Sequence, residues 1–97
     1  MYIMSHMSLT KNLREISNVL AKVENAELIE GFLRDILTES ELNNLSSRWE
    51  IVKLLDKGIT QRKIAHDFHL SLCKITRGSK ELHKEDSAIK KIIKLIN

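Results

Sequence analysis

Apolar residues recur along this chain at helical spacing, in blocks separated by polar capping residues. Leu9, Leu13, Ile16, Leu20 and Val23 follow alternating steps of four and three residues. That is a narrow, coiled-coil-like stripe, and it predicts a first helix ending near Asn25. Leu28, Ile29, Phe32, Leu33 and Ile36 form the broader apolar face of a second helix. Thr38-Glu39-Ser40-Glu41 reads as a capping box, with Thr38 at N-cap and Glu41 at N3. It opens a long third helix through Lys57, with Leu42, Leu45, Trp49, Val52 and Leu55 as its apolar row. Lys57 suits the last turn and Gly58 the stop. Thr60 caps a fourth helix. Asp86 is expected to cap a last helix carrying Ile89, Ile92, Ile93 and Ile96. Residues 1–8 are expected to form a flexible arm. Residues 9–97 are expected to form one helical domain.

Between the long helix and the last one lies Thr60 to Leu82, two short helices joined by a tight turn. Counted from Gln61, the fifth position is Ala65, the ninth His69 and the fifteenth Ile75. A helix-turn-helix unit requires a small residue at the fifth position, where its helices cross closely. It requires a buried branched residue at the fifteenth, where the second helix packs on the first. The ninth position needs a positive φ and is ordinarily glycine, but His tolerates that region better than most residues. The unit therefore spans 60–83. Ser71 is a candidate N-cap of its second helix. Lys74 and Arg77 lie in the first turns of that helix, where cations oppose the macrodipole and phosphate is the natural compensating partner. Gly78 stands mid-helix, where glycine costs about 1 kcal/mol against alanine. Either another helix or a flat ligand approaches the backbone there, and close helix packing is the simpler explanation.

Charge changes this picture in one respect. The overall charge is +3. Residues 1–52 carry five basic and eight acidic groups, whereas residues 53–84 carry eight basic and three acidic groups. The basic segment coincides with the helix-turn-helix, the expected footprint of a nucleic-acid-binding face. The chain has 97 residues, no proline and three glycines, an all-α composition for one domain. A monomer of this size buries only about 60–65% of its unfolded surface, which favours a core shared between two copies. The lone Cys73 precludes an internal disulfide and fits a reducing cytoplasm. No apolar run approaches the roughly 20 residues of a membrane helix, and Met1–Met7 lacks the pattern of a signal peptide.

Ile75-Thr76-Arg77-Gly78-Ser79, placed after Thr60-Gln61-Arg62 and before Leu82, resembles the core motif of the Trp repressor family. Arg48-Trp49-Glu50-Ile51-Val52, followed by Leu54-Leu55 and Gly58, resembles the long helix that precedes it. The similarity is good over Leu33 to Lys84, and the N-terminal helix follows by position and pattern. The resemblance implies about six helices, an intertwined homodimer, and a repressor whose operator binding is activated by L-tryptophan. It places the corepressor against Leu37, Thr38, Arg48, Arg77, Gly78 and Glu81. Residues matching Arg48 and Arg77 sandwich the indole and bind the carboxylate in that family. A guanidinium suits both tasks, as a planar cation that stacks on rings and a fork-shaped donor. Backbone carbonyls around Asp35 to Leu37, at a helix end where carbonyls are free, would receive the ligand's ammonium. Glu81 departs from a small hydroxyl residue in the family. It either pairs with that ammonium or answers Lys80 or Lys84 on the helix surface. On double-stranded operator DNA, Leu72, Cys73 and Thr76 match base-facing positions. Gln61, Arg62, Ser71, Lys74 and Lys80 would hold phosphates or read a base. A family lysine on the first helix of the unit is Ala65 here.

Enzymatic chemistry is not expected. The chain lacks a Gly-rich phosphate loop, a nucleophile motif and a paired-carboxylate site. His66 and His69 have a metal-like spacing but no third ligand at a defined place, so no metal and no cofactor beyond the corepressor are expected. Cys73 has no second cysteine with which to act as a redox sensor. Two alternatives stand beside the tryptophan-dependent repressor. One is a similar DNA-binding regulator with a different ligand or none. The other is a helical protein-interaction module built on the first-helix stripe.

Overall fold

The structure, a computed structural model, describes residues 8–96. The described residues are all-α. Six helices run α1 (Leu9–Leu20), α2 (Ala26–Ile36), α3 (Glu39–Asp56), α4 (Gln61–Phe68), α5 (Leu72–His83) and α6 (Ala88–Ile93), and a 3-10 turn follows at Lys94–Ile96. The expected helix number and order hold. The expected flexible arm lies, apart from Ser8, outside the described residues. The chain forms two compact units, one through Thr38 and one from Glu39.

The first unit is a pair of helices. Ser8 caps α1, its hydroxyl accepting the Lys11 N–H at 3.1 Å. The helix ends at Leu20, earlier than the stripe predicts, and Val23 falls beyond it. Asn25, expected near the end of α1, belongs to the next helix. Its backbone is extended, and its Oδ1 accepts the Leu28 N–H at 3.1 Å, so it starts α2 instead of continuing α1. An apolar groove of about 410 Å³ lies between the helices, lined by Ile16, Val19, Leu20, Val23, Leu28 and Phe32 among others. No residue of either helix is buried.

The second unit has a core. Ile51, Val52, Leu54 and Leu55 of α3 pack with Ile64 of α4, Ile75 and Leu82 of α5 and Ile93 of α6. Ile59, Ala65, Leu70 and Ile89 flank them. The predicted row of α3 therefore needs correction. Its C-terminal half is buried on several sides, drawing in Ile51 and Leu54, whereas Leu45 and Trp49 stay partly exposed.

Gly58 stops α3 as its sequence position implies. At φ +88° it adopts the left-handed conformation, where L side chains are strained. The Gly58 N–H donates to the Leu55 carbonyl at 3.0 Å and the Ile59 N–H to the Leu54 carbonyl at 3.2 Å. That pair of bonds is a Schellman motif. Thr60 then caps α4, accepting the Lys63 N–H at 3.2 Å.

At the other end the expected cap is displaced by one residue. Asp86 has φ +61° and pairs with Lys91 at 3.0 Å, while the buried Ser87 accepts the Lys90 N–H at 3.1 Å and starts α6. Lys90 also reaches the largely buried Asp56 at 3.3 Å, tying α6 to the end of α3.

Candidate functional site

The turn between α4 and α5 has the geometry its sequence calls for. His69 adopts φ 54° and ψ 37°, the left-handed conformation expected at the ninth position. Ile75 at the fifteenth is fully buried, and Ala65 at the fifth packs half-buried against the core. Ser71 occupies the N-cap of α5 in extended backbone. It makes no side-chain capping bond, so the predicted position holds without the predicted hydrogen bond.

Three faces of α5 follow from 3.6-residue spacing. The inner face carries Ile75 and Leu82 into the core. A second face presents Lys74, Arg77, Gly78 and Glu81 to a cleft of about 460 Å³. The outer face exposes Leu72, Cys73, Thr76 and Lys80, which with Arg77 and Glu81 border a shallow groove.

The cleft has three walls. Leu45, Arg48, Trp49, Ile51 and Val52 come from α3, and Ala88, Ile89 and Ile92 from α6. Its volume falls within the roughly 300–1,000 Å³ of ligand pockets. Gly78 sets how closely α5 approaches α3. A Cβ at residue 78 would stand 3.0 Å from Cγ2 of Ile51 and 3.7 Å from Cδ1 of Leu55. Close helix packing is thus a sufficient reason for this glycine, and the same residue lines the cleft.

Arg48 and Arg77, far apart in sequence, line one apolar cavity. Glu81 lines it too, but its carboxylate already accepts a hydrogen bond from the Lys84 ammonium at 2.8 Å. That bond and the Lys84 charge, with weaker help from Arg77 and Lys80, hold the Glu81 carboxyl below the usual glutamate range. The helix-surface pairing considered from sequence is formed with Lys84.

The other predicted site residues divide as follows. Gln61 and Thr76 are joined across α4 and α5, the threonine hydroxyl donating to Gln61 Oε1 at 3.1 Å. Arg62 is exposed on α4. Lys74, an expected phosphate contact, is exposed on α5 and also reaches toward α3. Its ammonium donates to Asn44 Oδ1 of α3 at 3.3 Å, and the residue lines the cleft. Leu37, the C-cap of α2, and Thr38 close the first unit. Sequence reasoning missed Leu45, Trp49, Ile51, Val52, Lys74, Ala88, Ile89 and Ile92 as cleft residues. The first two stood in the predicted apolar row beside Arg48, which was a usable signal. The α6 residues carried none, because their isoleucine spacing is that of any packing helix.

Fold and cleft together define a small all-α protein whose turn-linked helices expose one face and close a ligand-sized, arginine-lined cavity with the other. Its family follows from comparison with known proteins. The family model described as Trp repressor protein matches residues 11–96, and the chain belongs to that family. A Trp operon repressor homolog of Chlamydia caviae is 36% identical over 78 residues, spanning 79% of this chain and 77% of the relative. One from Vibrio parahaemolyticus is 30% identical over 94 residues, spanning 96% of this chain and 91% of the relative. One from Xylella fastidiosa is 32% identical over 89 residues, spanning 91% and 95% respectively. No solved structure gives a significant match. The protein is a regulator of the Trp operon repressor type. Among the described residues no helix is long and apolar enough to cross a membrane.

Proposed function

We propose that this chain is a cytoplasmic, homodimeric, sequence-specific DNA-binding repressor whose operator binding is activated by L-tryptophan. The observation that carries this reading is the convergence of Arg48 and Arg77 on one apolar cleft bordered by α5. A flat ring stacks on guanidinium planes, a carboxylate takes their hydrogen bonds, and apolar walls exclude water. The opposite face of α5, with Leu72, Cys73 and Thr76, is exposed and carries small or apolar groups that suit thymine methyls or water-mediated contacts. Gln61, Arg62, Ser71 and Lys80 surround that face with phosphate-binding groups. In a homodimer, two α5 helices would enter successive major grooves about 34 Å apart.

The ligand acts from behind. Occupying the cleft between α3 and α5, it favours one tilt of α5, and it does so only by its differential affinity for the two tilts.

A second reading is favoured by one feature. Glu81 is satisfied by Lys84 and adds a carboxylate to the cleft, which changes the balance of ligands it accepts. In that reading the chain is a DNA-binding regulator of the same type with another ligand or none.

Selection of duplexes from a random DNA library separates the two. With saturating L-tryptophan the protein is expected to retain specific duplexes about 10-fold or more tightly than without it. Arg77→Ala is expected to lose that difference. Equal retention of the same duplexes by ligand-stripped protein would establish the second reading.

A further inference from the structure

We propose that Lys74 is a specificity-determining residue of the cleft, presented by Asn44 to the carboxylate of the ligand. This rests on the corepressor reading above and adds a residue to it.

Lys74 shares a face of α5 with Arg77, Gly78 and Glu81, being three, four and seven residues before them, and all four line the same cavity. An exposed lysine ordinarily extends into water, because immobilising its long side chain costs about 2 kcal/mol of rotamer entropy. This one instead spans from α5 to α3, its Nζ lying 3.3 Å from Asn44 Oδ1. Asn44 directly precedes Leu45, itself a lining residue.

The identity of that partner matters. An amide oxygen orients the ammonium without neutralising it, whereas a carboxylate would cancel its charge. Two of the ammonium's three donors remain for another acceptor. The cleft thus holds three cations, Arg48, Lys74 and Arg77, against one carboxylate, Glu81, which Lys84 already engages. An apolar cavity with that excess selects an aromatic ligand bearing a carboxylate and disfavours one bearing only an ammonium.

The test is calorimetric titration of the dialysed full-length protein with three probes: L-tryptophan, its decarboxylated form tryptamine, and its deaminated form indole-3-propionate. Wild-type protein is expected to bind both carboxylate probes more tightly than tryptamine. Lys74→Met keeps the length and apolar stem of the side chain, and its melting temperature is expected to match wild type. It is expected to bind both carboxylates about 10-fold or more weakly, the lower end of a charge-assisted hydrogen bond, with tryptamine unchanged or improved. Asn44→Leu leaves the charge but removes its orientation, and a smaller loss in the same two probes is expected.

Equal weakening of all three probes would mean that Lys74 only braces α3 against α5, and would overturn the proposal. Wild-type affinities in Lys74→Met would overturn it while leaving the corepressor reading intact. Failure of the wild-type protein to bind any probe would overturn both.

Discussion

The unit from Glu39 closes a core around eight apolar side chains, while the unit through Thr38 buries none among its described residues, although both are written in amphipathic helices. Ile64 and Ile75 are 0% exposed; Leu9 and Leu13 are 75% and 54% exposed. The difference lies in what each stripe meets. In the second unit, short connections at Gly58, His69 and Asp86 fold three helices back on α3, so each stripe finds another. In the first, two helices share a groove that leaves Val19 and Leu28 on its walls more than half exposed, with Leu9 and Leu13 outside it. Exposed apolar side chains repeated at helical spacing suit an interaction surface, and a second copy of the chain is the partner in the reading proposed above.

The largest effect expected from this contrast is at the stripe. Leu13→Asp combined with Ile16→Asp puts two unpaired carboxylates into the proposed dimer surface, at about 3–5 kcal/mol for each buried charge left uncompensated. Sedimentation is expected to show monomers, with helicity lost from the first unit and the core of the second retained. A dimer that survives both substitutions would break the comparison.

Ile75→Ala is the counterpart in the second unit. It opens a cavity at a fully buried position and is expected to cost about 2–5 kcal/mol in chemical denaturation. A cost below about 1 kcal/mol would mean that the core is looser than its burial implies.

The smallest change is at the turn. His69→Gly removes a side chain from the left-handed conformation and is expected to raise stability by up to about 1 kcal/mol, less the added freedom of the unfolded chain. Thermal melting reads the sign, and a lower melting temperature would show that the imidazole contributes more than its strain costs.

The legible parts of this fold are those set by local chemistry. Thr60 and Gly58 act within a turn of their own position, so capping and left-handed stops could be read directly. His69 could be read because the spacing of Ala65 and Ile75 demanded a turn between them. Where two capping residues stand side by side, local rules do not choose. Asp86 and Ser87 both qualify, and packing decided for Ser87 by burying it. The stripe that runs on through Val23 places the end of α1 near Asn25, whereas the side-chain bond to Leu28 assigns Asn25 to the next helix.

The site divides in the same way. Arg48, Arg77 and Gly78 were visible through the resemblance, and the cleft unites them. Its third wall, from α6, was invisible because nothing local links Ile89 and Ile92 to Arg48. The turn of Lys74 toward Asn44, thirty residues away, depends on how α5 lies on α3, and only the folded arrangement reveals it.

The most direct test of the central claim is isothermal titration of dialysed protein with L-tryptophan alongside other amino acids. Calorimetry avoids interference from Trp49, which lines the same cleft. The account predicts saturable binding, one site per subunit, selective for tryptophan and lost in Arg77→Ala. No heat at several temperatures from a well-folded wild-type protein would contradict it, and the cleft between α3 and α5 would not be a tryptophan site.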